Sequence, residues 1–206
     1  MIHARIFPLA LMAAAVLATA AAAQTPMPGD RALLAEFARR VQAYTDVRDR
    51  AAAGVLPLRP LADPGEVRRR TDALAAAIES ARQDARQGDI FSPAIAQLIR
   101  RAVRAGCDDN LAQLLALVNE ELEKPLPDPV IHLRWPAGAP LPTMMPDLLA
   151  ALPPLPPNLQ YRFMNRALVL LDIDANLVVD FVPGVIPVVT TSSAFTARWP
   201  HPRPDR

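Results

Sequence analysis

Residues 155–183 constrain the fold of this chain more than any other stretch. They contain three apolar runs of strand length, separated by two short turn signals, Asn165-Arg166 and Asp174-Ala175-Asn176. That is the pattern of a three-stranded antiparallel meander. In the first run Leu159, Tyr161 and Phe163 alternate with Gln160, Arg162 and Met164, so the two sets take opposite faces. The middle run, residues 167–171, is apolar on both faces, as a central strand should be. In the third, strict alternation places Leu177, Val179 and Phe181 on one side and Val178, Asp180 and Val182 on the other. One face of this sheet has to receive the helices that precede it.

Those helices are written in residues 30–124. Asp30 caps a first helix reaching Ala53, with Leu34, Phe37, Val41, Tyr44 and Val47 at helical spacing and Gly54 as its stop. Asp63-Pro64-Gly65-Glu66 has a cap, a proline at the first helical position and an acid that answers the cap. The helix it opens carries Val67, Leu74, Ile78, Ala81 and Ala85 on one face, and Gly88 ends it. Ser92-Pro93 starts a third helix with Ile95, Leu98, Ile99, Ala102 and Val103 inward, stopping at Gly106. Asp108 or Asp109 caps a fourth, with Leu111, Leu114, Leu115, Val118 and Leu122 inward, and Pro125 stops it. Each helix has one apolar stripe opposite a charged face, the signature of a surface helix.

Between the helices and the meander, residues 125–157 hold 11 of the 23 prolines. Ile131, Leu133 and Trp135 alternate within residues 129–135, a candidate fourth strand at an edge, where flanking prolines are tolerated. Pro146 opens a short helix over residues 146–152. Leu152-Pro-Pro-Leu-Pro-Pro157 reads as a stiff, extended lead-in to the first strand.

The ends of the chain have a different character. His3 and Arg5 precede an apolar run over residues 6–18, and Ala21-Ala22-Ala23 fits a cleavage site, so residues 1–23 read as an export signal cut after Ala23. The alternative is an uncleaved inner-membrane anchor, for which the run is long enough but alanine-heavy. Removing residues 1–23 takes away one arginine and no acid, leaving equal numbers of basic and acidic side chains. That balance argues against a nucleic-acid partner. With the signal removed no stable membrane span is expected. The expected location is periplasmic or secreted. Cys107 is the single cysteine, so an internal disulfide is impossible and the fold must rest on its core. Residues 190–206 read as a disordered tail.

Candidate chemistry is sparse. Asp172, Asp174 and Asn176 have the spacing that opens a calcium loop, but Leu177 and Pro183 stand where glycine and glutamate would be needed. Asp and Asn at a hairpin are ordinary turn residues, which bond their own backbone and tolerate left-handed geometry. His132 is a weak catalytic candidate, as an acid–base partner of Asp172, Asp174 or Asp180 if residues 129–135 dock beside the meander. The familiar nucleophile, zinc and phosphate-loop motifs are absent from the sequence, and only seven glycines are available to cradle a phosphate. No cofactor and no metal are expected.

Trp135-Pro-Ala-Gly-Ala-Pro-Leu141, Leu152-Pro-Pro-Leu-Pro156, Tyr161-Arg-Phe163 and Asp174-Ala-Asn-Leu-Val-Val-Asp-Phe181 together resemble a family of small exported bacterial proteins of unknown function. The resemblance spans most of the mature chain and is strongest in its last third. It implies a stand-alone periplasmic domain and carries no activity or site residues. Asn165 departs from the glycine expected in the first turn, although asparagine suits the same geometry.

These readings converge on an α+β fold. One domain over residues 24–189 has a four-helix part (30–124) packed on a small antiparallel meander of three strands, or four if residues 129–135 join it. The expected function is non-enzymatic, an interaction or envelope-accessory role whose partner is an envelope protein. The alternatives are a hydrolase built on His132 with Asp172 or Asp174, and a carrier of a small apolar ligand lined by Phe37, Tyr44 and Leu170.

Overall fold

The computed structural model describes residues 28–57, 63–106, 126–139 and 144–186. The signal segment, the fourth helix, Cys107 and the tail of residues 190–206 lie outside the described residues. Within them the fold is α+β. Helices α1 (Pro28–Ala53), α2 (Pro64–Ala81), α3 (Pro93–Gly106) and a short α4 (Pro146–Ala151) precede strands β1 (Leu159–Met164), β2 (Ala167–Asp172) and β3 (Leu177–Val182).

Helix starts follow local chemistry. At α2 the Asp63 carboxylate accepts from the Gly65 and Glu66 amides at 2.7 and 2.9 Å, while the Glu66 side chain accepts from the Asp63 amide. This capping box satisfies donors that the first helical turn cannot. Pro64, Pro93 and Pro146 each open a helix, where a missing N–H costs nothing.

The end of α2 differs from the sequence reading. The helix stops at Ala81, not at Gly88, and Ala81 and Val67 are exposed; the buried stripe is Leu74, Ala75 and Ile78. Past Arg82 the chain turns, and the amides of Gly88, Ile90 and Phe91 bond Asp180 on β3 instead of continuing the helix. Gly88 has φ +94°, a backbone state that side chains resist, so glycine serves this loop and not a helix stop.

The sheet runs β1-β2-β3 and both pairs are antiparallel. Asn165, at φ 53°, makes the two-residue turn between β1 and β2. On one face Leu159, Tyr161, Phe163, Leu168, Leu170, Leu177 and Val179 join Phe37, Val41, Tyr44, Leu74, Ile78, Ile95 and Ile99 in the main core. Phe37 stacks on Phe91, with ring centroids 5.8 Å apart. Each fully buried Leu, Ile or Phe here contributes about 1.5–3 kcal/mol. The other face carries a smaller cluster of Leu126, Trp135, Met164, Val169, Leu171 and Val178.

Strict alternation fails in β3. Leu170 pairs with Asp180 but Leu171 pairs with Val178, so Val179 is an extra residue, a β-bulge. Beyond it the faces exchange. Val182 joins Leu177 and Val179 in the main core, and Phe181 packs with the outer cluster. Asp180 is thereby aimed at the helix side, opposite Leu170.

Residues 130–135 do not form a full strand. They pair with β3 through one bridge, Arg134 to Leu177, with His132 in a left-handed turn at φ 66°. The His132 amide donates to the Val178 carbonyl (2.9 Å), and the Val178 amide donates to the Leu133 carbonyl (2.8 Å). The left-handed residue breaks the extended run, so this segment is a strap on the edge of β3.

Candidate functional site

The most polar buried spot lies where α1 meets the end of β2. Helical spacing ends the α1 stripe at Val47, but the buried position is the next one, Arg48. Arg48 lies four residues beyond Tyr44, so it shares a face with Phe37, Val41 and Tyr44. Its Nε donates to Asp172 Oδ2 at 2.8 Å, and the Tyr44 hydroxyl donates to the same oxygen at 2.8 Å. Asp172 Oδ1 accepts from the Asp174 and Ala175 amides at 3.1 and 3.0 Å. Arg48 also pairs with Asp174, and with Asp49 at 3.3 Å.

The electrostatics follow from burial. Asp172 is 0% exposed. Burial, then the charge and hydrogen bond of Asp172, push the Tyr44 hydroxyl far above the ordinary phenol range. For Arg48, burial opposes the charge, but Asp172 and Asp174 outweigh it and hold the guanidinium above its ordinary range. The Arg82 guanidinium lies over the Tyr44 ring, 5.0 Å from its centre, and its Nη1 donates to the Val179 carbonyl at 3.4 Å.

A second buried carboxylate, Asp180, is also 0% exposed. Its Oδ1 accepts from the amides of Gly88 and Phe181 at 2.9 and 2.8 Å, and its Oδ2 from those of Ile90 and Phe91 at 2.8 Å each. An ionised carboxylate offers about four acceptor positions. In both aspartates four donors occupy them, so neither oxygen pair is open to a substrate proton in this arrangement.

The structure brings Asp172 and Asp174 together, through Arg48. No hydrogen bond among the described residues joins His132 to either. His132 sits on the strap near Glu79 of α2 and Arg82 just past its end, and its buried Nε2 has no hydrogen-bond partner. Burial first, and then Arg82, lower its basicity, with Glu79 acting in the opposite direction. Among the described residues no three His, Cys, Asp or Glu side chains gather where they could hold a metal ion. Phe37, Tyr44 and Leu170, named for a ligand carrier, all lie in the main core.

Sequence reasoning singled out Asp172 for its turn but missed Tyr44 and Arg48 as its partners. The signal for Arg48 was its place on the apolar stripe of α1. Asp180, a third acid offered by the sequence as a partner for His132, is instead turned inward by the bulge and committed to four backbone amides. Among the described residues no helix is long and apolar enough to cross a membrane. No family model, no curated protein and no solved structure matches the chain.

Proposed function

We propose that this is an exported, non-enzymatic protein of the bacterial envelope that receives an extended segment of another envelope protein along β1. The observation that carries the reading is the asymmetry of the sheet edges. On the β3 side the strap already takes backbone hydrogen bonds at Val178. On the other side, among the described residues, β1 is the last strand.

The Asn158 carbonyl accepts from Ile173 at 3.0 Å. Antiparallel alternation from that pair turns the backbone groups of Leu159, Tyr161 and Phe163 outward. Leu159 donates to the Pro156 carbonyl, and the Tyr161 carbonyl accepts from Arg162. A segment adding to this edge would bond the outward groups at Tyr161 and Phe163. Against the hydrolase reading stand the four donors on Asp172 and the lack of any hydrogen bond from His132 to it.

The test is site-specific photocrosslinking in intact envelopes. A crosslinker at Gln160 or Arg162, both half-buried on β1, is expected to give one discrete heavier species, and one at exposed Arg39 of α1 none. No adduct at either β1 position, or the same adducts at Arg39, would overturn the reading.

A further inference from the structure

The strap at residues 130–135 lies between two elements. Its backbone meets β3 at Val178, and the Trp135 amide donates to the Asn176 carbonyl at 3.4 Å. On its other side Arg134 reaches α2, with Asp72 and Glu79 each 3.5 Å away, and also bonds the Ala175 carbonyl at 3.0 Å. Beneath it Trp135 is buried in the outer cluster. Asn176 Nδ2 also donates to the Trp135 carbonyl at 3.1 Å and Arg134 Nη2 to the Asp72 carbonyl at 3.4 Å, while His132 holds a left-handed backbone that is uncommon outside glycine, though His, Asn and Asp adopt it more readily than most.

The imidazole surroundings suit one charge state. A neutral ring can present Nε2 as a bare lone pair, whereas an imidazolium must carry an N–H there. The structure gives that buried nitrogen no acceptor. The charges that act on the ring are Arg82, just past the end of α2, which repels a cation, and Glu79 of α2, which would attract one but is engaged by Arg134. Arg82 is itself fixed by the Tyr44 ring, the Val179 carbonyl and, at 3.9 Å, Asp89. On the strap itself, Arg134 is engaged by Asp72 and Glu79. The acid of β3, Asp180, is committed to the amides of residues 88–91.

We infer that the strap is a proton-operated latch: protonation of His132 lifts residues 130–135 from β3 and uncovers both that edge and Trp135. The sign follows from the ring's lowered basicity in the folded state. The unfastened strap binds the proton more readily, so acid favours it. The latch is fully closed above the ordinary imidazole value of 6.5 and loosens as the pH falls below it. The latch stands apart from the β1 reading, because it concerns the opposite edge.

The experiment follows Trp135 emission and acrylamide quenching in a Trp199→Phe background, between about pH 8 and pH 5. The expected result is a reversible red shift and stronger quenching on acidification, at constant far-ultraviolet circular dichroism. His132→Asn and His132→Gly, which tolerate the left-handed backbone, are expected to abolish the change. An unchanged response in those variants, or a helix and sheet signal that falls together with the emission, would overturn the latch. Should neither variant fold, the His132 ring is titrated by NMR in the Trp199→Phe protein. Its midpoint must coincide with the emission change, and separation of the two would also overturn the latch.

Discussion

Asp172 and Asp180 are both fully buried carboxylates in the same sheet, each with four hydrogen bonds, yet they hold different things. Asp172 takes two of its donors from side chains on α1, so it binds a helix to a turn. Asp180 takes all four from backbone amides, three of them in the loop after α2, so it shapes a stretch of chain that has no regular structure. The first bears on how elements dock. The second replaces secondary structure where a helix would otherwise continue. A buried acid therefore serves two ends here, and the type of donor tells them apart.

Substitutions can break this contrast. Asp172→Ala leaves Arg48 largely buried without its main partner and strands the Tyr44 hydroxyl, an expected loss of about 3–5 kcal/mol in urea unfolding. Asp180→Asn keeps the shape but turns an amide nitrogen toward backbone N–H groups, with an expected loss of about 2–3 kcal/mol. Hydrogen exchange should separate the two: Asp180→Asn should unprotect the amides of Ile90 and Phe91 first, and Asp172→Ala those of Asp174 and Ala175. Equal spread of both effects over the whole fold would erase the distinction.

Smaller changes sharpen it. Tyr44→Phe removes one donor of four and keeps the ring under Arg82, so unfolding should show a loss of about 1 kcal/mol. Asp63 is an exposed counterpart of Asp180, a carboxylate on backbone amides, and Asp63→Ala should cost the least of the set. The Glu66 amide, ahead of the other contributions, holds the Asp63 carboxyl below its ordinary value of 3.8. Its folded form is thus the more acidic one, and its contribution is present above about pH 4 and lost as the pH falls further. Thermal melts of the wild type and Asp63→Ala should therefore converge in acid.

What could be read from the sequence was local. The capping box at Asp63, the prolines that open helices and the faces of β1 are each set by residues within a few positions, and the structure has them as read. The tendency of Asp172 to bond its own turn is equally local. Its partners are not: Tyr44 and Arg48 lie 128 and 124 residues away in the chain. An arginine ending an apolar stripe gives a hint that something acidic waits, but not which acid. The bulge left no trace because Leu177-Val178-Val179 is apolar throughout, and a one-residue slip in such a run changes no pattern. The early end of α2 followed from the same blind spot, since it depends on where Asp180 points.

The bulge at Val179 also sets a unit of cooperativity. Because it delivers Asp180 to the loop, the amides of residues 88–91 are protected only while the end of β3 keeps its register. Loop and strand end should open in a single event, although they are 89 to 92 residues apart in the chain. A one-residue slip of the strand end that paired Val179 with Leu170 would restore simple alternation, turn Phe181 toward the helices and leave the loop without its anion. A change that makes the strand more regular would thus dismantle a loop on another part of the molecule.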